Sequence, residues 1–189
     1  MYSWEQRELN SVVIFYNGQT YTPKDIVASG GTLVLRSSNV QDGEIDLTDN
    51  VFIDNEVVNT NNVRPNDIVV VVRNGSKSLI GKHCQIKRPM KNTVIGAFMT
   101  GIRANHSSFI NALFSTNSFS SEIEKNMGAT INQITGGMFK RMAFPFPRGE
   151  EQDRIGAVFW DLDRLITLHQ RELEKLRNIK KACLEKMFV

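Results

Sequence analysis

From Glu150 to Val189 the sequence repeats with the period of a helix that requires a partner. Apolar residues recur at alternating steps of four and three: Ile155, Phe159, Leu162, Ile166, Leu173, Leu176, Cys183 and Met187. His169 and Lys180 occupy the two intervening seam positions. This is a nearly unbroken heptad pattern over about five repeats. It follows Phe144-Pro145-Phe146-Pro147, a proline-marked stop for the element before it. At 1.5 Å per residue such a helix is roughly 55 Å long. One small domain cannot cover that length, so the pattern predicts pairing with a second helix. The polar seam residues His169 and Lys180 can fix its register, the alternative being that His169 simply sits at the seam margin.

Composition bounds the rest. A chain of 189 residues supports one ordinary core plus this appendage. No stretch approaches the apolar length that spans a bilayer, and the opening residues lack a signal-peptide core, which places the chain in the cytoplasm with no membrane partner. Cys84 and Cys183 are far apart and suggest neither a disulfide framework nor a zinc site. Charge is unevenly spread. Residues 1–72 carry four Lys/Arg against ten Asp/Glu, residues 73–149 eleven against two, and residues 150–189 eight of each. The basic middle is the natural candidate for meeting a polyanion, the alternative being a solvated face whose charges balance the acidic first third in space.

Punctuated β segments fill the first three quarters. Val12–Tyr16 ends at Asn17-Gly18, Thr32–Arg36 follows Gly30-Gly31, and Ile68–Val72 is the clearest strand because β-branched residues favour pleated surfaces. Residues 94–99 and 100–103 read as strands around glycine breaks. Ser107 to Phe119 suits one helix capped by Ser107 or Ser108. Residues 129–134 read as a loop, and Met138 to Phe144 as a strand or short helix. The expected fold is α+β: a mixed-sheet domain over 1–149, then one long helix over 150–189.

Catalytic signatures are missing. His83, His106 and His169 sit in no metal-ligand spacing, and there is no phosphate-cradling glycine loop, dinucleotide-binding turn or nucleophile elbow. The reading is a non-enzyme with no catalytic residues, no metal and no cofactor.

Several segments together resemble the specificity subunit of type I restriction-modification systems. They are Trp4 to Leu9, Leu33 to Val40, Asn66 to Ser76, Gly128 to Ile134, Phe144 to Pro147 with Glu150-Glu151-Gln152, His169 to Leu173, and Lys180 to Val189. Their order and spacing carry the resemblance across essentially the whole chain. It implies a target-recognition domain followed by the conserved spacer helix, in a DNA reader that docks adenine methyltransferase (modification) subunits, with the restriction subunit joining the full complex. Family members usually carry two recognition domains and two helices packed antiparallel, so this chain resembles half a subunit, either a natural half-length form or a C-terminal piece. A twofold homodimer through Ile155, Phe159, Leu162, Ile166, His169, Leu173 and Leu176 would rebuild the antiparallel coiled coil and read a bipartite double-stranded target.

Residue chemistry nominates the contacts. Arg grips guanine, Asn and Gln grip adenine, and Lys and Arg hold phosphates. The candidates stand in strand-end loops: Arg36, Ser38 and Asn39; Arg73, Asn74, Ser76 and Lys77; Arg103, Asn105 and His106; and Thr130, Asn132 and Gln133. Lys82 and Lys140 add phosphate contacts in the basic middle. Two alternatives stay open: a stand-alone DNA-binding protein dimerised by its helix, and a structural adaptor.

Overall fold

The computed structural model of the chain describes residues 4–127 and 132–188. Its strands run β1 (Glu5–Glu8), β2 (Ile14–Asn17), β3 (Ile26–Val27), β4 (Thr32–Leu35), β5 (Val40–Gln41), β6 (Glu44–Ile45), β7 (Val51–Ile53), β8 (Ile68–Val71), β9 (His83–Gln85), β10 (Thr93–Ile95), β11 (Met99–Arg103) and β12 (Ala143–Phe146). Its α-helices are α1 (Ser107–Phe114), α2 (Asn117–Asn126), α3 (Gly136–Arg141) and α4 (Gly149–Met187). One four-stranded sheet has the order β10-β4-β7-β3, with β10 parallel to β4. The other, β2-β11-β8-β9, is antiparallel throughout. A β1-β12 ribbon and a β5-β6 hairpin complete the α+β domain.

The apolar runs become the interior strands. All four residues of β8 are fully buried, because β11 and β9 flank it and both faces are covered. A run apolar at every position, without alternation, is what such a strand requires. Phe114 and Phe119 stack with ring centroids 4.3 Å apart, and Phe139 and Phe144 close the cluster. Gly101 in β11 faces the Tyr16 ring so closely that a Cβ there would lie 2.0 Å from it.

The helix expected over Ser107–Phe119 is two. Thr116 ends α1 by donating its hydroxyl to the Leu113 carbonyl (2.7 Å), and starts α2 by accepting from the Phe119 amide (3.3 Å). A side chain that competes for backbone partners breaks a helix in this way. At the start of α1 the residue before the first turn is His106, without a side-chain cap, while Ser107 bonds back to the Ala104 carbonyl. The segment Met138–Phe144 proves to be both alternatives in succession, the end of α3 and the start of β12.

α4 has 39 residues, so it is about 58 Å long. Its first half lies on the domain. Gly156 meets α1 where a Cβ would stand 2.8 Å from the Phe109 amide nitrogen, so only glycine allows the two helices to touch. Gln152 is buried and donates to the Pro147 carbonyl (2.9 Å). His106 Nδ1 lies 2.6 Å from Asp153 Oδ1, and Trp4 Nε1 donates to Glu151 (3.2 Å). Two turns on, Lys87 lies over the Trp160 ring, and Glu44 of the β5-β6 hairpin accepts from both Lys87 and the Thr167 hydroxyl (3.0 Å to the latter). From Leu168 to Phe188 every residue is exposed. About 30 Å of helix thus projects past the domain.

The heptad stripe does not face the domain. At 3.6 residues per turn, Leu162, Ile166, Leu173 and Leu176 lie roughly 80–160° around the helix from the Gly156 line. Phe159, Leu162, Ile166, Leu173 and Leu176 are each about half exposed, and Val158, Leu165 and Ile179 widen the stripe. Ile155 departs from the expectation: it packs half-buried against the domain's own core, because it sits in the first turns that α1 covers.

Candidate nucleic-acid interface

β8 and β11 run antiparallel, with Met99 opposite Val71 and Ile102 opposite Ile68. Their loops therefore leave at two opposite ends of one ladder. The end beyond Val71 and before Met99 gathers segments distant in sequence. The Val72 and Arg73 amides donate to the Phe98 carbonyl (3.0 and 3.1 Å). Arg73 forms an antiparallel bridge with Gln133, and the Asn74 amide donates to the Asn132 carbonyl (3.2 Å). Asn74 Nδ2 donates to Ser37 Oγ (2.9 Å), which brings in the turn after β4. Asn132 Nδ2 donates to the Gly75 carbonyl (2.9 Å). Arg36, Ser38, Arg73, Asn74, Ser76, Lys77, Asn132 and Gln133 are thereby placed in one neighbourhood. Thr130 lies outside the described residues.

Within this neighbourhood the side chains divide. Arg73, Ser76 and Lys77 are exposed, and neither Arg73 nor Lys77 has an ion-pair partner among the described residues. Arg36 is paired with Asp49 at 2.7 Å. Asn74 is half-buried and uses both ends of its amide, the oxygen accepting from the Ser76 backbone. Asn39 corrects the expectation outright. It is fully buried, accepts from the Arg36 amide, and donates to the Asp46 and Asp49 carbonyls. A buried amide must be satisfied internally, so it shapes the turn and has nothing left to offer a base.

Arg103, Asn105 and His106 leave from the opposite end of the ladder, about 14 Å away along β11. Arg103 Nε donates to Asp67 (3.0 Å), its guanidinium lies 4.5 Å over the Tyr16 ring, and Tyr16 donates to the same carboxylate (2.8 Å). Asp67 holds Arg103 still more firmly protonated, while burial first and the carboxylate second push Tyr16 well above the ordinary phenol range. This network is internal, which corrects the expectation that Arg103 contacts phosphate. Asn105 is exposed, but beside the start of α4. Lys140 of α3 lies near the Phe15 ring, and Lys82 donates to Gln41. Burial lowers the His83 pKa, which keeps its ring neutral, and pushes the Cys84 thiol up to about 12, so the thiol is unreactive at neutral pH. Among the described residues no group of three or more His, Cys, Asp or Glu is placed to hold a metal, and no helix is long and apolar enough to cross a membrane.

Residues 1–178 match the family model described as the type I restriction modification DNA specificity domain. The chain belongs to that family. Its specificity-domain relatives include the type I restriction enzyme StySPI specificity subunit of Salmonella potsdam, 27% identical over 189 residues, which cover 94% of this chain and 40% of that protein. The EcoKI specificity subunit of Escherichia coli (strain K12) is 28% identical over 160 residues, covering 80% of this chain and 34% of that one. Among solved structures, the type I restriction-modification S subunit from M. genitalium shares the fold at TM-score 0.65 and 16% identity, covering 95% of this chain and 44% of that one. This specificity domain thus spans about two fifths of the length of the relatives it matches.

Sequence reasoning missed Phe98. It is 53% exposed at the tip of the β10–β11 turn, 4.9 Å beneath the Arg73 guanidinium. The run Val94–Met99 reads as an apolar strand, so nothing in it marks this one residue as outward. The signal available was Gly96, a turn residue two positions earlier.

Proposed function

We propose that this specificity domain reads one half of a bipartite double-stranded DNA target and serves a type I restriction-modification complex as a non-catalytic subunit. Adenine methyltransferase subunits dock on it and a restriction subunit completes the assembly, in the cytoplasm. The observation that carries the reading is the convergence of loops 36–38, 73–77, 96–98 and 132–133 at one end of the β8–β11 ladder, with Arg73 and Lys77 unpaired among the described residues. Cations not committed to internal carboxylates hold phosphates, and the polar and apolar groups between them face base edges. The test is fluorescence anisotropy of the chain, in complex with its methyltransferase, on duplexes carrying the methylated sequence and on random duplexes. A preference for the methylated sequence is expected, and equal affinity for both would sink the reading.

The exposed stripe of α4 is assigned to a second copy of the chain. Each Leu or Ile removed from water there contributes about 1.5–3 kcal/mol, and a twofold pair of helices would place two identical readers on a palindromic site. Replacing Leu162, Ile166 and Leu173 with Asp is expected to give monomers by light scattering without lowering the melting temperature of the domain, since these side chains are half exposed within one protomer. A wild-type chain that is monomeric at tens of micromolar (the usual scale for a modest interface is roughly micromolar) would hand the role to a second helix from another part of a longer subunit.

A further inference from the structure

We infer that Phe98 is a base contact of this reader, and that the chemical group it reads is the 5-methyl of a thymine in each half-site; this rests on the DNA-reading function proposed above. The ring stands at the tip of a turn held from below. The Gly96 amide donates to the Leu35 carbonyl (2.8 Å), the Met99 amide to the Gly96 carbonyl (2.9 Å), and the Phe98 carbonyl accepts two amides from the β8 end. This large apolar side chain is still half exposed, and the ring contact it makes among the described residues is with Arg73 on one face. It stands among the candidate contacts, on the rim of a hollow of about 680 Å³ that Ala97, Arg36 and Ser38 also line. The Arg36 Nε and Ser38 Oγ atoms are buried without a hydrogen-bond partner among the described residues.

Charge and geometry choose the occupant. Arg73, exposed and without an ion-pair partner among the described residues, draws a polyanion to this tip, so the apolar ring meets DNA and not lipid or an apolar protein face. Arg73 also covers one face of the ring at 4.9 Å. A wedge driven between two base pairs needs both faces bare, and this ring has one. What remains is an edge and one face, suited to a group that projects into a groove. The major groove offers one apolar group, the thymine methyl, and phenylalanine is among the residues that contact it. A guanidinium fixed on the ring can reach an adjacent phosphate or guanine while the ring meets the methyl.

The test uses the chain in complex with its methyltransferase on the methylated duplex, with each thymine in turn replaced by deoxyuridine, which removes the methyl and leaves the hydrogen-bonding pattern intact. Wild type is expected to lose about four-fold in affinity at one thymine per half-site, the value of one buried methyl-sized group. Phe98→Ala should bind the thymine duplex weaker by at least that factor and become indifferent to uracil at the same position. Phe98→Leu, still apolar, should keep most of the uracil penalty, and it preserves the test if the alanine variant folds poorly. A wild type indifferent to uracil throughout, or an alanine variant that keeps the full penalty, overturns the contact while leaving sequence preference intact. Failure to prefer the methylated duplex over a random one overturns both the contact and the reading beneath it.

Discussion

Arg73 and Arg103 stand at opposite ends of the same pair of strands and do opposite things. Arg103 ends β11 beside Asp67, whose side chain is only 4% exposed, and the two are joined by hydrogen bonds with Tyr16 packed beneath. Arg73 follows β8 at the other end, exposed, with an aromatic ring under it and no ion-pair partner among the described residues. The end at Arg103 is closed by α1 and the start of α4, and the end at Arg73 is open. An arginine beside a desolvated carboxylate is part of the core, because separating them would strand a charge. An arginine without one is available to a ligand. The sign of the charge is the same in both places, and its use is decided by what else is buried nearby.

The largest effect should come from breaking the closed end. Arg103→Ala leaves the buried Asp67 carboxylate without its counter-charge, held only by the Tyr16 hydroxyl and the Arg64 amide, a change whose cost reaches up to about 3–5 kcal/mol, the range seen where both charges are buried. A large drop in melting temperature is expected, while the folded fraction keeps its sequence preference and its salt slope. Unchanged stability together with a shallower salt slope would move Arg103 to the DNA-facing set.

The open end should respond in the reverse sense. Arg73→Gln is expected to leave stability within about 0.5 kcal/mol, as for most exposed positions, and to reduce the slope of log affinity against log salt by about one unit. Weakening should be similar on all sequences if Arg73 holds phosphate, and confined to one guanine position if it reads a base. Lys77→Gln should show the phosphate pattern. Changing Gln133, whose side-chain amide has no hydrogen-bond partner among the described residues, should alter which sequence is preferred, whereas Asn39→Ala should cost stability without altering preference. No change in slope for either cation would make the open end a solvated surface.

A smaller, graded effect belongs to His83, which lies between the two ends against Phe114 and Phe119. Burial lowers its pKa below the ordinary 6.5, so the folded chain holds it neutral. The unfolded chain takes up the proton first as pH falls. The stability from this site is therefore complete above about pH 6.5 and is lost as pH falls toward the lower folded value. Chemical denaturation at pH 7.5 and 5.5 should show wild type losing more stability than His83→Gln over that interval. Equal losses would mean that the ring is solvated in the fold.

Several of these features could be read from the chain in one dimension, because they depend on neighbours within a few residues. The buried strand β8 is written in a run of β-branched residues, and α4 in a repeat of seven whose apolar positions share one face whatever lies beside it. The family resemblance rests on ordered local segments and is equally one-dimensional. The break between α1 and α2 was also local, in the hydroxyl of Thr116, but it competed there with a continuous apolar pattern and was overlooked. The identity of the open end was not local. Arg36, Arg73 and Gln133 meet only because β4, β8 and the loop before α3 finish at the same edge. Arg103 is tied to Asp67, 36 residues earlier in sequence, and Asn39 is withdrawn from solvent by the Asp46 and Asp49 carbonyls. Phe98 is exposed because a tight turn carries it past the end of the sheet. Periodicity determined which segments are strands and which is the spanning helix, since backbone hydrogen bonding and side-chain alternation are short-range. Only the tertiary structure decided which cations stay unpaired, because pairing and desolvation depend on distances between groups that the chain brings together after long excursions.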